Sequence, residues 1–103
     1  MPFVYILKCA DGSYYTGSTI DVEMRMAQHQ TGNFKGYTSS RLPVGLAWQQ
    51  EFPTEHDAFL AERQVKGWTR AKKEALIRSD FDAIHEIVKT ERKRREAKKS
   101  VQR

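Results

Sequence analysis

The chain has 103 residues, of which 39% are hydrophobic and 30% charged, with a formal net charge of +5. This composition is typical of a globular protein, and no apolar run approaches the roughly 18 residues that a membrane span requires. The single cysteine, Cys9, excludes an intrachain disulfide and a cysteine-rich zinc site. Because the N-terminal residues lack a signal-peptide pattern, we expect a cytoplasmic protein without membrane association.

The first half of the chain predicts two strands, a helix and a third strand. Residues 3–7 are apolar and β-prone at every position, which indicates a strand buried on both faces. Asp11-Gly12 indicates a turn, after which residues 14–17 form the returning strand. A helix then begins at Thr19 or Asp21 and ends near Gln30. A polar loop follows to Pro43.

The third strand is predicted over residues 44–52, where Val44, Leu46 and Trp48 alternate with smaller or polar residues. Thr54 then caps a second helix that ends near Gly67 or Trp68. A short helix covers residues 70–78. Ser79 begins the last helix, which places Phe81, Ile84, Ile87 and Val88 at helical spacing. The order β-β-α-β-α-α-α predicts an α+β fold in which helices pack on a three-stranded sheet.

We expect one domain over residues 1–88 and a basic C-terminal helical extension or tail over residues 89–103. The extension holds eight basic and two acidic residues, whereas the remaining 88 residues hold ten basic and eleven acidic ones. Such a tail predicts salt-sensitive attraction to phosphate without sequence recognition. An equally good interpretation is a solvated helix end with no ligand.

Polar side chains occupy helix faces that ought to be apolar. On the first helix, Arg25 and His29 share the face that Val22 and Met26 would bury. On the second helix, Glu62 lies in the middle of a stripe of small and apolar residues. A buried carboxylate requires a cation, a metal or several hydrogen-bond donors. Either these residues form a functional site, or Arg25 and Glu62 form an ion pair that fixes helix packing.

A family pattern connects these residues. Tyr5 ends the tripeptide Phe3-Val4-Tyr5, and Tyr15-Thr16-Gly17 follows on the second strand; Arg25-x-x-x-His29 and Glu62 come later in the order. The chain resembles the GIY-YIG nuclease superfamily, and specifically its short stand-alone bacterial branch, from about Phe3 to Ile77. Further similarity lies in Gly36-Tyr37-Thr38, in Arg41 and Pro43, and within residues 65–77.

The resemblance implies a three-stranded antiparallel sheet and an endonuclease that hydrolyses DNA phosphodiesters with one divalent metal, Mg²⁺ or Mn²⁺, held by Glu62. It implies a catalytic set comprising Tyr5, Tyr15, Arg25, His29 and Glu62. The chain departs from relatives at Ser18, where some have Lys, and at Glu74, where several have Asn. Both departures bear on catalytic efficiency.

Each of these residue types has a chemical role in such a reaction. Arg25 would grip phosphate oxygens, and Tyr5 or Tyr15 would accept the proton of the attacking water. His29 would orient a tyrosine or share the proton work. The two tyrosines share a face of the sheet only if the connection between their strands has an odd length or contains a bulge.

Several residues outside the catalytic set are candidates for contact with nucleic acid. DNA is the expected partner, branched or single-stranded, cut with structure-selective or non-specific preference, and a partner protein would supply substrate choice. Two alternatives remain: a non-catalytic nucleic-acid-binding module on the same fold, and an interaction domain with a structural Arg25–Glu62 pair. The candidate contacts are Gly17, Lys35, Tyr37, Arg41, Lys66, Arg70, Lys72 and Lys73.

Overall fold

The computed structural model describes the backbone of residues 1–32 and 36–101 and the side chains of these residues up to Lys93. The elements follow the predicted order: β1 (Phe3–Lys8), β2 (Tyr14–Thr19), α1 (Val22–Gln30), β3 (Gly45–Glu51), α2 (Glu55–Lys66), α3 (Arg70–Ile77) and α4 (Phe81–Val101). The chain forms two compact units, residues 1–68 and residues from 69 onward. The boundary between a domain and an extension at residues 88 and 89 stays a prediction.

The sheet is antiparallel, with β1 in the centre and β2 and β3 at its edges. Val4, Tyr5, Ile6 and Leu7 on β1 are all at most 1% exposed. The prediction of a strand buried on both faces is confirmed. The uninterrupted apolar run is explained by this central position, because both faces of β1 are covered.

The connection between β1 and β2 has five residues, 9–13. The Cys9 amide donates to the Ser13 carbonyl at 2.8 Å, and the Gly12 amide donates to the Cys9 carbonyl at 2.9 Å. This odd-length connection pairs Tyr5 with Gly17 and Leu7 with Tyr15. Since paired residues lie on the same face of an antiparallel sheet, Tyr5 and Tyr15 share one face.

The third strand departs from the predicted alternation. A bulge interrupts its pairing with β1, so that Trp48 pairs with Ile6 and Leu46 pairs with Leu7. The side chain of Leu46 is therefore out of step with that of Trp48, and Leu46 is 40% exposed. The alternation predicted a strand here, and the strand is present, but a bulge adds one residue and places Leu46 and Trp48 on opposite faces.

Local side-chain bonds begin the helices of the first unit. Asp21 caps α1 by accepting from the Met24 amide at 3.0 Å, and Thr54 caps α2 by accepting from the Asp57 amide at 3.1 Å. Helix α2 packs on β2 and β1. Its residues Ala58 and Val65 are buried, as the apolar stripe predicts.

The second unit is a pair of packed helices, α3 and α4. Asp80 caps α4 by accepting from the Ala83 amide at 3.0 Å, so the helix begins at Phe81 and not at Ser79 as predicted. Lys72 on α3 donates to Glu91 on α4 at 2.7 Å. Phe81 is 67% exposed, in contrast to its predicted place on the apolar face. No helix within residues 1–32 and 36–101 is both long and apolar enough to cross a membrane.

Candidate active site

Two tyrosines and a histidine meet on one face of the sheet. The ring centroids of Tyr5 and Tyr15 are 6.4 Å apart, and that of His29 lies 6.0 Å from the first and 5.3 Å from the second. The Tyr5 hydroxyl is 3.1 Å from His29 Nε2. Tyr5 and His29 are almost completely buried, whereas Tyr15 is half-buried. The predicted convergence of these residues is present.

The other ring nitrogen of His29 contacts a loop residue. Nδ1 lies 2.7 Å from the Thr38 hydroxyl, and Thr38 is 1% exposed. Burial, together with the nearby charge of Arg25, lowers the pKa of His29 below its ordinary value of 6.5. His29 is therefore a neutral imidazole at pH 7, held at both nitrogens.

Gly17 makes room for the Tyr5 hydroxyl. A β-carbon at position 17 would lie 2.5 Å from that oxygen, 2.7 Å from Tyr5 Cζ and 3.2 Å from Tyr15 Cε2. No real side chain tolerates the first two distances. The structure thus accounts for the glycine through ring packing, and its predicted contact with nucleic acid stays a prediction.

The charge of Arg25 acts on the same phenol. Its guanidinium favours the ionised forms of both Tyr5 and Glu62 and so acts to lower the pKa of each. Burial and the neighbouring Tyr15 nevertheless raise the pKa of Tyr5 to about 12. Tyr5 is consequently a neutral phenol at physiological pH, and it can act as a base only when another group takes its proton.

Glu62 projects from α2 toward the edge strand β2. Ser18 Oγ donates to Glu62 Oε1 at 2.5 Å, and Lys66 Nζ lies 2.8 Å from Glu62 Oε2. Although burial raises the pKa of Glu62, the bonds from Lys66 and Ser18 outweigh it and hold that pKa below its ordinary value. The Glu62 side chain is 17% exposed, so an ionised carboxylate faces solvent at this edge. Glu62 forms an ion pair with Lys66 on its own helix, and Arg25, the partner considered in the sequence, acts on Glu62 electrostatically.

The donor set of this site suits one kind of metal. Glu62 would act as a single carboxylate ligand, since within the described residues no three His, Cys, Asp or Glu side chains form a group that could hold a metal. One ionised oxygen ligand suits a hard divalent cation that keeps most of its waters, as Mg²⁺ does. Lys66 holds one of the two oxygens, and its side chain is 50% exposed, which leaves it room to turn away.

Three of the predicted nucleic-acid contacts have other partners. Arg41 pairs with Asp11 at 3.0 Å, donates to the Tyr37 carbonyl at 2.7 Å and lies over the Tyr37 ring at 3.9 Å. Tyr37 also stacks on Tyr15. Lys72 is 8% exposed and bonded to Glu91. Their contacts with DNA stay predictions on which the site does not depend.

The remaining basic candidates differ in placement. Lys66 is part of the site through Glu62. Arg70 and Lys73 lie on α3 of the second unit, and the Arg70 side chain is 56% exposed and 3.7 Å from Glu74. Lys35 lies outside the described residues.

Sequence reasoning assigned no site role to two residues that complete the hydrogen bonding. Ser18 stood out only as a departure from the relatives' lysine, and Thr38 only as part of Gly36-Tyr37-Thr38. Neither shows a periodicity that marks it as buried or paired. Their partners lie 44 and 9 residues away. Ser18 on β2 and Thr38 in the loop are short polar residues that gave no stronger signal.

A model of the GIY-YIG catalytic domain matches residues 1–75, which include every member of the catalytic set. The chain belongs to the GIY-YIG family. This is a nuclease family whose members generally use a divalent metal. The resemblance that the sequence motifs indicated is confirmed, including the short stand-alone branch.

Relatives of which this chain covers four fifths or more support this assignment. The UPF0213 protein of Halobacterium salinarum is 43% identical over 77 residues, covering 75% of this chain and all of the relative. That of Lacticaseibacillus paracasei is 47% identical over 75 residues, covering 73% of this chain and 84% of the relative. A solution NMR structure of an E. faecalis protein is 36% identical with a TM-score of 0.53, covering 75% of this chain and 82% of that one. The predicted three-stranded α+β fold is confirmed.

Proposed function

We propose that this chain is a metal-dependent endonuclease that hydrolyses DNA phosphodiesters in the cytoplasm, with structure-selective or non-specific preference. The observation that carries the proposal is the Tyr5–His29 pair beside a cation, Arg25, that acts electrostatically on both Tyr5 and the ionised Glu62. A phosphodiester reaction needs an anionic metal ligand, a cation for phosphate oxygens and a proton acceptor. The residues of this site supply all three.

Glu62 would hold one Mg²⁺ or Mn²⁺ after Lys66 turns away. When bound, the cation supplies charge relief at the phosphate and lowers the pKa of bound water. Arg25 donates to phosphate oxygens, and Ser18 keeps the carboxylate aimed at the strand edge. The displaced Lys66 ammonium then remains near the site as a further phosphate partner.

Two tyrosines are candidates for the proton acceptor. Tyr5 has His29 Nε2 at 3.1 Å to receive its own proton, but it is only 1% exposed. Tyr15 is half-buried and so more accessible to a substrate. Replacement of each tyrosine with Phe distinguishes the two candidates. Phe retains the packing of the ring but lacks the hydroxyl, so turnover is lost when the residue that accepts the proton is replaced.

A non-catalytic DNA-binding module is the alternative function. Its support is the basic composition of residues 89–103 and the salt bridge that engages Glu62. In this alternative, Lys66 and Glu62 form a permanent pair and the protein binds DNA without cutting it. A partner protein would then supply any chemistry.

The test incubates the purified full chain with branched and single-stranded DNA in Mg²⁺, Mn²⁺ or EDTA, alongside Glu62→Ala. Metal-dependent cutting that is lost in Glu62→Ala supports the nuclease. Binding that weakens steeply with salt, without cutting in any metal, supports the binding module instead. Absence of both defeats the two proposals and leaves a protein-interaction domain.

A further inference from the structure

The buried contact between Thr38 and His29 determines where protons lie in the site. Thr38 Oγ1 is 2.7 Å from Nδ1, and the Tyr5 hydroxyl is 3.1 Å from Nε2. A neutral imidazole carries one N–H, so one nitrogen donates and the other accepts. Which nitrogen accepts decides whether His29 can take the proton of Tyr5.

The two hydroxyls bonded to His29 differ in character, and this difference selects one tautomer. Tyr5 is a neutral phenol, which is a stronger hydrogen-bond donor and a weaker acceptor than the aliphatic hydroxyl of Thr38. The proton of the phenol therefore points to His29 Nε2, 3.1 Å from the phenol oxygen. Nε2 is then the acceptor, and Nδ1 carries the proton and donates it to Thr38.

The geometry points to Thr38 as a positioning residue that holds His29 in its Nδ1–H tautomer, so that Nε2 stays the base beside Tyr5. Its effect on catalysis rests on the proposed nuclease function, whereas its effect on the tautomer does not. Backbone bonds keep Thr38 in place, since its carbonyl accepts from the Arg41 amide at 3.0 Å. Arg41 in turn pairs with Asp11 at 3.0 Å. The loop that contains Thr38 and Arg41 thereby links the turn after β1 to the hydrogen bonds of His29 and Tyr5.

Replacement of the Thr38 hydroxyl tests this role. Thr38→Val conserves shape but removes the acceptor, which would leave a buried N–H unpaired. We expect His29 to shift toward the Nε2–H tautomer, and kcat for DNA cutting to fall about tenfold or more with KM unchanged. Thr38→Ser keeps a hydroxyl and should restore both. Ser39→Ala is the matched control, because this neighbouring hydroxyl bonds only to Gly36 among the described contacts.

Nitrogen-15 NMR of the His29 ring in the full chain is the primary measurement, because it distinguishes protonated from unprotonated ring nitrogens. A protonated Nε2 in the wild type, or an unchanged tautomer in Thr38→Val, overturns the proposal. Should Thr38→Val not fold, Tyr5→Phe gives the answer: His29 should keep its Nδ1 proton, and a switched tautomer overturns the role of Thr38. A wild-type chain that has the expected tautomer, loses it in Thr38→Val and yet does not cut DNA supports the role of Thr38 and defeats the nuclease proposal alone.

Discussion

The hydroxyl of Tyr5 lies over the α-carbon of Gly17, at a distance where a β-carbon would come within 2.5 Å of the oxygen. The two residues are paired across β1 and β2, so neither can move away without disturbing the sheet. Backbone pairing thus places the Tyr5 phenol beside Gly17, the neighbour of Ser18, whose hydroxyl donates to Glu62.

Gly17→Ala should lower the free energy of unfolding by about 1–3 kcal/mol, since overpacking a buried contact has this cost. Gly45→Ala is the matched control, because a β-carbon there meets nothing within 4 Å. Urea denaturation measures both. Equal stability of the two variants would contradict the packing role of Gly17.

Much of this fold follows from sequence patterns, but the hydrogen bonds of the site do not. The apolar run of β1 and the Asp21 and Thr54 caps are local signals, and the structure contains each of them. The Asp11-Gly12 pair also fits a two-residue turn, which would separate Tyr5 from Tyr15. Only the complete connection of residues 9–13 fixes the register.

The partner of Glu62 shows a second limit of sequence reasoning. Helical spacing places Glu62 inward, yet both Arg25 and Lys66 were available cations. Lys66 lies one turn further along the same helix, within reach of the carboxylate, and forms the ion pair. The distance from Arg25 to Glu62 instead depends on how α1 and α2 pack against the sheet, which no local pattern predicts.

Removal of Lys66 should strengthen cation binding at Glu62. Lys66→Met deletes the ammonium 2.8 Å from Oε2, so a divalent ion no longer competes with it. We expect Mn²⁺ to bind about three- to tenfold tighter, the effect of one partly screened charge. Calorimetry or Mn²⁺ electron paramagnetic resonance measures the affinity. Arg63→Met on the same helix is the control, and identical affinities in the two variants would refute the competition.

Thr16 carries a buried hydroxyl that has no hydrogen-bond partner within the described residues, and it is 2% exposed. Thr16→Val should raise the free energy of unfolding by about 1 kcal/mol, because it removes the desolvation cost of an unpaired polar group. Thr38→Val should act in the opposite direction, since that hydroxyl is bonded to His29. Chemical denaturation compares them, and a destabilised Thr16→Val would show that its hydroxyl has a partner in solution.

Stability should fall on acidification because of His29. The pKa of His29 in the folded chain lies below the ordinary 6.5. As the pH falls through about 6.5 toward that folded pKa, the unfolded chain therefore binds more protons than the folded chain does. The free energy of unfolding therefore decreases through that window, and His29→Gln should remove this part of the slope. Unfolding measured between about pH 8 and pH 5 tests this prediction. The control is His56→Gln, because His56 is an exposed residue of α2. A slope retained in His29→Gln would contradict the assignment.

The basic tail is best tested by a truncation that spares Glu91. Removing residues 89–103 would also delete the partner of the buried Lys72, whereas removing residues 94–103 keeps it. If the tail anchors DNA, the shorter chain should bind more weakly, with a smaller dependence of affinity on salt and unchanged turnover. Fluorescence anisotropy over a salt series gives both quantities, and an unchanged salt slope would leave the tail without a role in binding.

The single-turnover rate of branched-DNA cleavage, at saturating protein, tests the proposed reaction most directly because it separates chemistry from binding. In Mg²⁺ or Mn²⁺, Glu62→Gln should be slower than the wild type by about a hundredfold or more, with DNA affinity retained. Glu55→Gln on the same helix should keep the wild-type rate. Cleavage that persists in EDTA, or that proceeds equally fast in Glu62→Gln, would contradict a metal-dependent nuclease centred on Glu62.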